Sequence, residues 1–271
     1  MKITRFVPVA VLVAAMSFAC SDSTSLNNLI ATDAAVTADV ATSAGDAIAQ
    51  AVADMMQNEN LGGLPGVVAS SSVMASAETP LPNYTRTRTC YNADGGVVAN
   101  CSPVASVRKV VTHVTIDGSR SGSSSTFGGE PKSWSGAVHR ILDDTVKRVF
   151  NTSQPPAETQ RVHSAVASAH DTTTFTEGST SRFAAETAHD TVQGLTWNLP
   201  RQTNPWPSAG KVIRAVAVHF VATRENRTET RDVTRVVEVD FPADAQGNVV
   251  LKINDKTCNL NLVNHSVTGC H

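Results

Sequence analysis

Apolar positions recur along this chain with two periods, and the change from one to the other divides it. Over residues 33–60, Val36, Val40, Ala44, Ile48, Val52 and Met56 fall four apart. Ala47, Ala51 and Met55 widen the stripe, and Asp39, Ser43, Asp46, Gln50 and Gln57 take the opposite side. That spacing predicts an amphipathic helix, with Asp33 as its cap and Gly62-Gly63 past its end. The stripe is shallow, so such a helix needs another surface to lean on, and Gly45 weakens it further.

From Tyr84 onward the period falls to two, the mark of half-buried strands. Thr87–Tyr91 and Val97–Cys101 flank Ala93-Asp94-Gly95-Gly96, which suits a tight hairpin. Val107–Asp117 is the next strand, followed by a Gly/Ser loop over 118–129. Ser135–Leu142 and Thr145–Phe150 are expected to pair across a turn at Asp143-Asp144. Glu158–Thr176 and Ser181–Leu199 make a long hairpin near Gly178, and Lys211–Arg224 with Glu229–Phe241 another around Asn226. Val249–Asn254 and Thr257–Val263 finish the meander. Sequential strands with no helices among them predict a mainly β fold: an antiparallel meander sheet, either a sandwich or a curved half-barrel, with the one N-terminal amphipathic helix in its hollow.

The first residues belong to neither period. Lys2 and Arg5 precede the apolar run Phe6–Ala19, too short to span a bilayer core of about 30 Å and shaped like a secretory signal. The run ends at Ser17-Phe18-Ala19-Cys20, which resembles the lipobox of bacterial lipoproteins. The resemblance implies cleavage before Cys20, acylation of Cys20 (palmitate among the acyl groups) and a membrane anchor through those chains. Ser21, standing where an Asp would imply retention at the inner membrane, favours the outer membrane. The chain then divides into a signal peptide (1–19), a lipidated tether (20–32), the helix (33–60), a Gly/Pro/Ser linker (61–81) and the β domain (82–271).

Cysteine usage agrees with export. Setting Cys20 aside, Cys90, Cys101, Cys258 and Cys270 remain, an even number that reads as two disulfides. A turn centred on Gly95-Gly96 puts Cys90 opposite Cys101, and Cys258 is near enough in the chain to Cys270 for the C-terminus to fold back onto it. A formal charge of −2 lacks the basic stripe of a nucleic-acid binder, so no nucleic-acid partner is expected. With 5% aromatic residues, the core must be built largely of Val and Ala.

Candidate chemistry is sparse. Ala169-His170-Asp171-Thr172 and Ala188-His189-Asp190-Thr191 repeat the same letters on neighbouring strands, and a hairpin centred between Ser179 and Thr180 would face His170 with His189. His170 and His189 are the pair a metal would use. Adjacent strand residues point to opposite faces, however, so Asp171 cannot join His170, and His163, seven residues away, faces the other way. No metal or other cofactor is therefore expected. Gly118-Ser119-Arg120-Ser121-Gly122 has Arg where a nucleophile elbow has Ser, and Ala209-Gly210-Lys211-Val212 lacks the Ser or Thr of a phosphate loop. Trp206, in the Pro-rich loop 201–210, is the candidate for stacking on a ligand. Small residues Ala165, Ala167, Ala169, Ala184, Ala215 and Ala217 are expected to face inward. Together these features predict a membrane-anchored extracytoplasmic lipoprotein, not an enzyme, acting as an envelope interaction or structural module. Two other functions fit the same features: carriage of an apolar small molecule between helix and sheet, and glycan binding by the β domain.

Overall fold

Period-two alternation over long runs folds here into one antiparallel sheet of eleven strands. The computed structural model describes Ala41, Ala44, Gly45, Ile48 and Ala49, and residues 83–271 apart from 100, 102–105, 125–131, 202 and 204. The signal segment, Cys20 and its tether, the linker and the rest of the 33–60 segment lie outside the described residues. The strands are β1 (Asn83–Tyr91), β2 (Val97–Val98), β3 (Lys109–Ser124), β4 (Lys132–Phe150), β5 (Glu158–Glu177), β6 (Thr180–Asn198), β7 (Ala209–Arg224), β8 (Arg227–Phe241), β9 (Asn248–Ile253), β10 (Lys256–Asn261) and β11 (Val267–Thr268). From β3 to β11 each strand pairs with the next, while β1 lies between β3 and β2. This is the expected meander, in a single open sheet rather than the two of a sandwich.

One face of the sheet, the inner face, carries the core. Val114, Leu142, Leu195, Trp197, Val212, Val237, Val239, Leu251, Ile253 and Leu260 are buried there in one cluster. Ala41, Ala44, Ile48 and Ala49 belong to the same cluster and are helical. A Cβ on Gly45 would come within 2.5 Å of Val267 Cγ2 and 3.3 Å of Leu260 Cδ1. Glycine therefore permits a close approach to β10 and β11 that a larger residue would block. A smaller inner-face cluster joins Ala188, Val216 and Val218 to Ala169, Ala184 and Phe220.

Several local expectations are corrected. Asp143-Asp144 is not a turn; it lies inside β4, a strand of 19 residues. The alternation Leu142, Asp144, Val146 runs through the pair without changing phase, so the strand has no reason to reverse. The Gly/Ser segment remains strand as far as Ser124. The first hairpin pairs Cys90 with Val98 and Tyr91 with Val97, because the Asn92 side chain accepts from the Asp94 and Gly96 amides and fixes a longer turn. Cys101 still reaches Cys90, and Cys258 is bonded to Cys270. Ala165 and Ala167 are buried in the main core, whereas Ala215 and Ala217 take the opposite phase to buried Val216 and face outward.

Candidate functional site

Along β5 and β6 the alternation is broken once, and the break organises the inner face. His163 pairs with Leu195 but Ala165 pairs with Val192, so β6 carries extra residues there, with Gly194 at φ 58°. Such a bulge re-aims the side chains that follow it. Val192 and the even residues before it point inward; beyond the bulge Leu195 and Trp197 do so instead, and both are fully buried. Trp197 thereby meets the edge of His163, with ring centroids 5.1 Å apart at 73°.

His163 is the middle of a buried polar seam. Its Nδ1 lies 4.0 Å from Oδ1 of Asp144, which sits directly across from Thr112 on β3. Asp144 and His163 are only 1% and 3% exposed. Both Asp144 oxygens, both His163 nitrogens, Thr112 Oγ1 and Trp197 Nε1 are buried and, among the described residues, have no side-chain hydrogen-bond partner. Burial pushes the Asp144 carboxyl up to about 7, against the lowering effects of the Thr145 amide, Arg86 and Arg88. Burial also pushes the His163 ring down to about 3, with Arg201 and Arg161 adding to the effect. The seam thus sets a neutral imidazole beside a carboxyl that is half protonated near neutrality. Unsatisfied buried groups cost about 1–3 kcal/mol each, so the seam is a local weakness unless filled.

Charged residues cross the inner face between the two apolar clusters. Arg140 binds Asp171 through two nitrogens. Arg214 reaches Asp190 at 2.7 Å and Glu186 at 3.3 Å. Burial raises Asp190 above the usual carboxylate range, opposed by Arg214, Arg140 and His189. Near the β4–β5 turn, Glu158 receives Arg148 and Arg161. Burial pushes Glu158 up, but those hydrogen bonds outweigh it and hold its carboxyl below the usual value.

The outer face is polar. His113 on β3 bonds Asp143 at 2.8 Å and His219 on β7 bonds Asp232 at 2.7 Å; His139 bonds Asp117. All three pairs are directly cross-strand. Further along, Ser121, Ser123, Ser133, Ser135, Thr174 and Thr176 line an open depression of about 530 Å3, together with Gly122 and Trp134.

The residues singled out from sequence are scattered. Glu177 pairs with Thr180, two residues out of the expected register, so His170 faces Thr187 and His189 faces Ser168. His170 meets His139 on its other side. His163 lies on the opposite, inner face. Among the described residues, no three His, Cys, Asp or Glu side chains are grouped to hold a metal ion. Trp206 is partly buried against the main core, its ring covering Gly247 so closely that a Cβ there would be 2.7 Å from Cζ2. Asp144 is hard to find from sequence because a polar residue at an inward position looks like a turn. Gly194 is the available signal, since an isolated glycine within a strand pattern marks a bulge. Compared with known protein families, curated proteins and solved structures, the chain matches none.

Proposed function

We propose that this protein is a lipid-anchored component of the bacterial envelope whose β domain is a non-enzymatic interaction module. The observation that carries the reading is the two-faced open sheet: its core lies on one face, while the other presents hydroxyls and His–Asp pairs across long strands. Val149, Val166, Val236 and Val250 are also exposed. Disulfides fit an oxidising compartment, and acyl chains on Cys20 would supply the membrane link, more stably if two or more are attached. In this reading the helix expected over 33–60 fills the hollow of the sheet, continuing from Ala41, Ala44, Ile48 and Ala49. The test is fractionation of Cys20→Ser together with photo-crosslinking from Val166. Cys20→Ser should leave the membrane fraction, and Val166 should crosslink to a discrete envelope component while a core position such as Leu251 does not. A variant that stays in the membrane fraction refutes the anchor; equal crosslinking from both positions refutes the docking face.

The depression beside Trp134 favours one further reading, a glycan ligand. Its volume falls within the range of about 300–1,000 Å3 usual for small-ligand sites, and six hydroxyl side chains suit a polyhydroxyl partner. Co-sedimentation with peptidoglycan and other insoluble polysaccharides tests it, and Ser121→Leu with Ser135→Leu should reduce the bound fraction. The apolar-carrier reading draws less support, because Ala41, Ala44, Ile48 and Ala49 pack into the main core and Arg140, Asp171, Glu186 and Arg214 set charge between the two apolar clusters of the inner face.

A further inference from the structure

Five histidines lie on the outer face, at 113, 139, 170, 189 and 219, and two of them meet. His139 on β4 is directly opposite His170 on β5. Side chains in that relation have Cβ atoms about 4.5–5.5 Å apart. Each ring is also held from its far side. On β3, Asp117 is opposite His139 and binds its Nδ1. On β6, Thr187 is opposite His170, with Oγ1 at 3.3 Å from its Nδ1. The row across four strands therefore reads Asp117, His139, His170, Thr187.

The two nitrogens of an imidazole point in nearly opposite directions. With Nδ1 of His139 turned toward β3 and Nδ1 of His170 toward β6, the two Nε2 atoms turn toward each other. Neither Nε2 has a hydrogen-bond partner among the described residues. An imidazole that ligates through one nitrogen while giving the other to a carboxylate is the usual arrangement at metal centres, where the outer partner fixes the tautomer and the ring. We propose that His139 and His170 form a surface site for a first-row divalent cation that favours imidazole, zinc or copper, with Asp117 as its positioning residue. Two protein ligands make an open site, completed by water or by a donor from a docked molecule. It rests on neither the anchor nor the docking reading.

The other outer histidines serve as controls. His113 and His219 have their own Asp partners but face Thr87 and Ala185 on the far side, and His189 lies between Ser168 and Ala215. The experiment is calorimetric titration of the untagged full chain in detergent with zinc chloride alone, repeated with copper followed by electron paramagnetic resonance. Saturable binding at one equivalent should be lost in both His139→Ala and His170→Ala and kept in His113→Ala. In Asp117→Asn it should weaken about 10–100-fold. The copper spectrum should show two equatorial nitrogens. Absence of saturable binding by the wild-type chain overturns the proposal. So does binding that survives either histidine substitution, since the ion would then lie elsewhere. All these side chains sit on the exposed face, so circular dichroism of the variants should match wild type.

Discussion

Asp144 and His163 take up protons in opposite senses on folding. The Asp144 carboxyl titrates near 7 instead of 3.8, so between those values the folded chain keeps a proton that the unfolded chain has released. Its contribution to stability is complete below pH 3.8 and is lost as pH rises through 7. The His163 ring titrates near 3 instead of 6.5, so its contribution is complete above pH 6.5 and is lost as pH falls through 3. The shifts correspond to roughly 4 to 5 kcal/mol each, at about 1.4 kcal/mol per unit. Between about pH 4 and 6.5 the two slopes therefore oppose one another, and single substitutions should unmask them. Relative to wild type, Asp144→Asn should gain stability as pH rises from about 4 to 7. His163→Gln should lose stability relative to wild type over about pH 3 to 6.5. Urea unfolding across that range measures both, and pH-independent differences would mean that neither group is perturbed by its burial.

At the scale of elements, the β6 bulge is what brings Trp197 to His163, and its neighbour β7 is fitted to it. Gly210, the second residue of β7, has φ 115°, and a Cβ there would lie 2.6 Å from Leu195 Cα and 2.7 Å from the Gly194 carbonyl oxygen. Both obstacles are backbone and cannot swing aside. Gly194 has φ 58° but open space where an alanine methyl would sit, so its substitution meets only the left-handed backbone penalty of about 1–2 kcal/mol. Gly210→Ala adds steric strain to an unfavourable backbone and should cost more than Gly194→Ala, with the urea midpoint lowered at unchanged slope. The reverse order would show that β7 can move away from the bulge. Element types were legible in the sequence because apolar and polar residues alternate over long runs, as at Val110, Val114 and Ile116 of β3 and Val212, Val216 and Val218 of β7. Registers were less so: the Asn92 side chain reshaped the first turn, and the His170 hairpin centres one residue earlier than its symmetry suggested, which shifts every pairing by two. The inner polar seam was hidden for a related reason. Whether Asp144 points into a core or marks a turn depends on its cross-strand partners, which one strand's sequence does not contain. Both expected disulfides are present: Cys258–Cys270 followed from short chain separation, whereas Cys90–Cys101 was read from a register the hairpin does not adopt and forms because Cys101 is still near enough in the chain to reach Cys90.

Among the described residues the sheet is open, and its two edges are protected differently. An unguarded edge strand offers its free backbone groups to another chain. At one edge, β2 covers only Cys90 and Tyr91 of β1. Among the described residues no strand lies along the rest of β1, Asn83–Thr89, on that side, and Arg86 and Arg88 supply charge there, a recurrent guard against edge pairing. At the other edge the C-terminus lies along β10. Asn259 and Leu260 pair with Thr268 and Val267, and Thr257 exchanges backbone hydrogen bonds with His271 at 3.0 and 3.1 Å. Cys258–Cys270 fastens that cover. Beneath it β10 buries Cys258 and Leu260 on its inner side, with no charge between them. Removing either disulfide should cost about 2–4 kcal/mol in the chain-entropy account, but the consequences should differ. Without the Cys258–Cys270 bond the cover can fray and leave β10 open. Cys258→Ser with Cys270→Ser should then show faster hydrogen exchange at the 257, 259 and 260 amides and concentration-dependent association by light scattering. Cys90→Ser with Cys101→Ser should lose comparable stability without associating, because its edge is guarded by charge. Equal association of both variants would place the protection in global stability rather than in the covered edge.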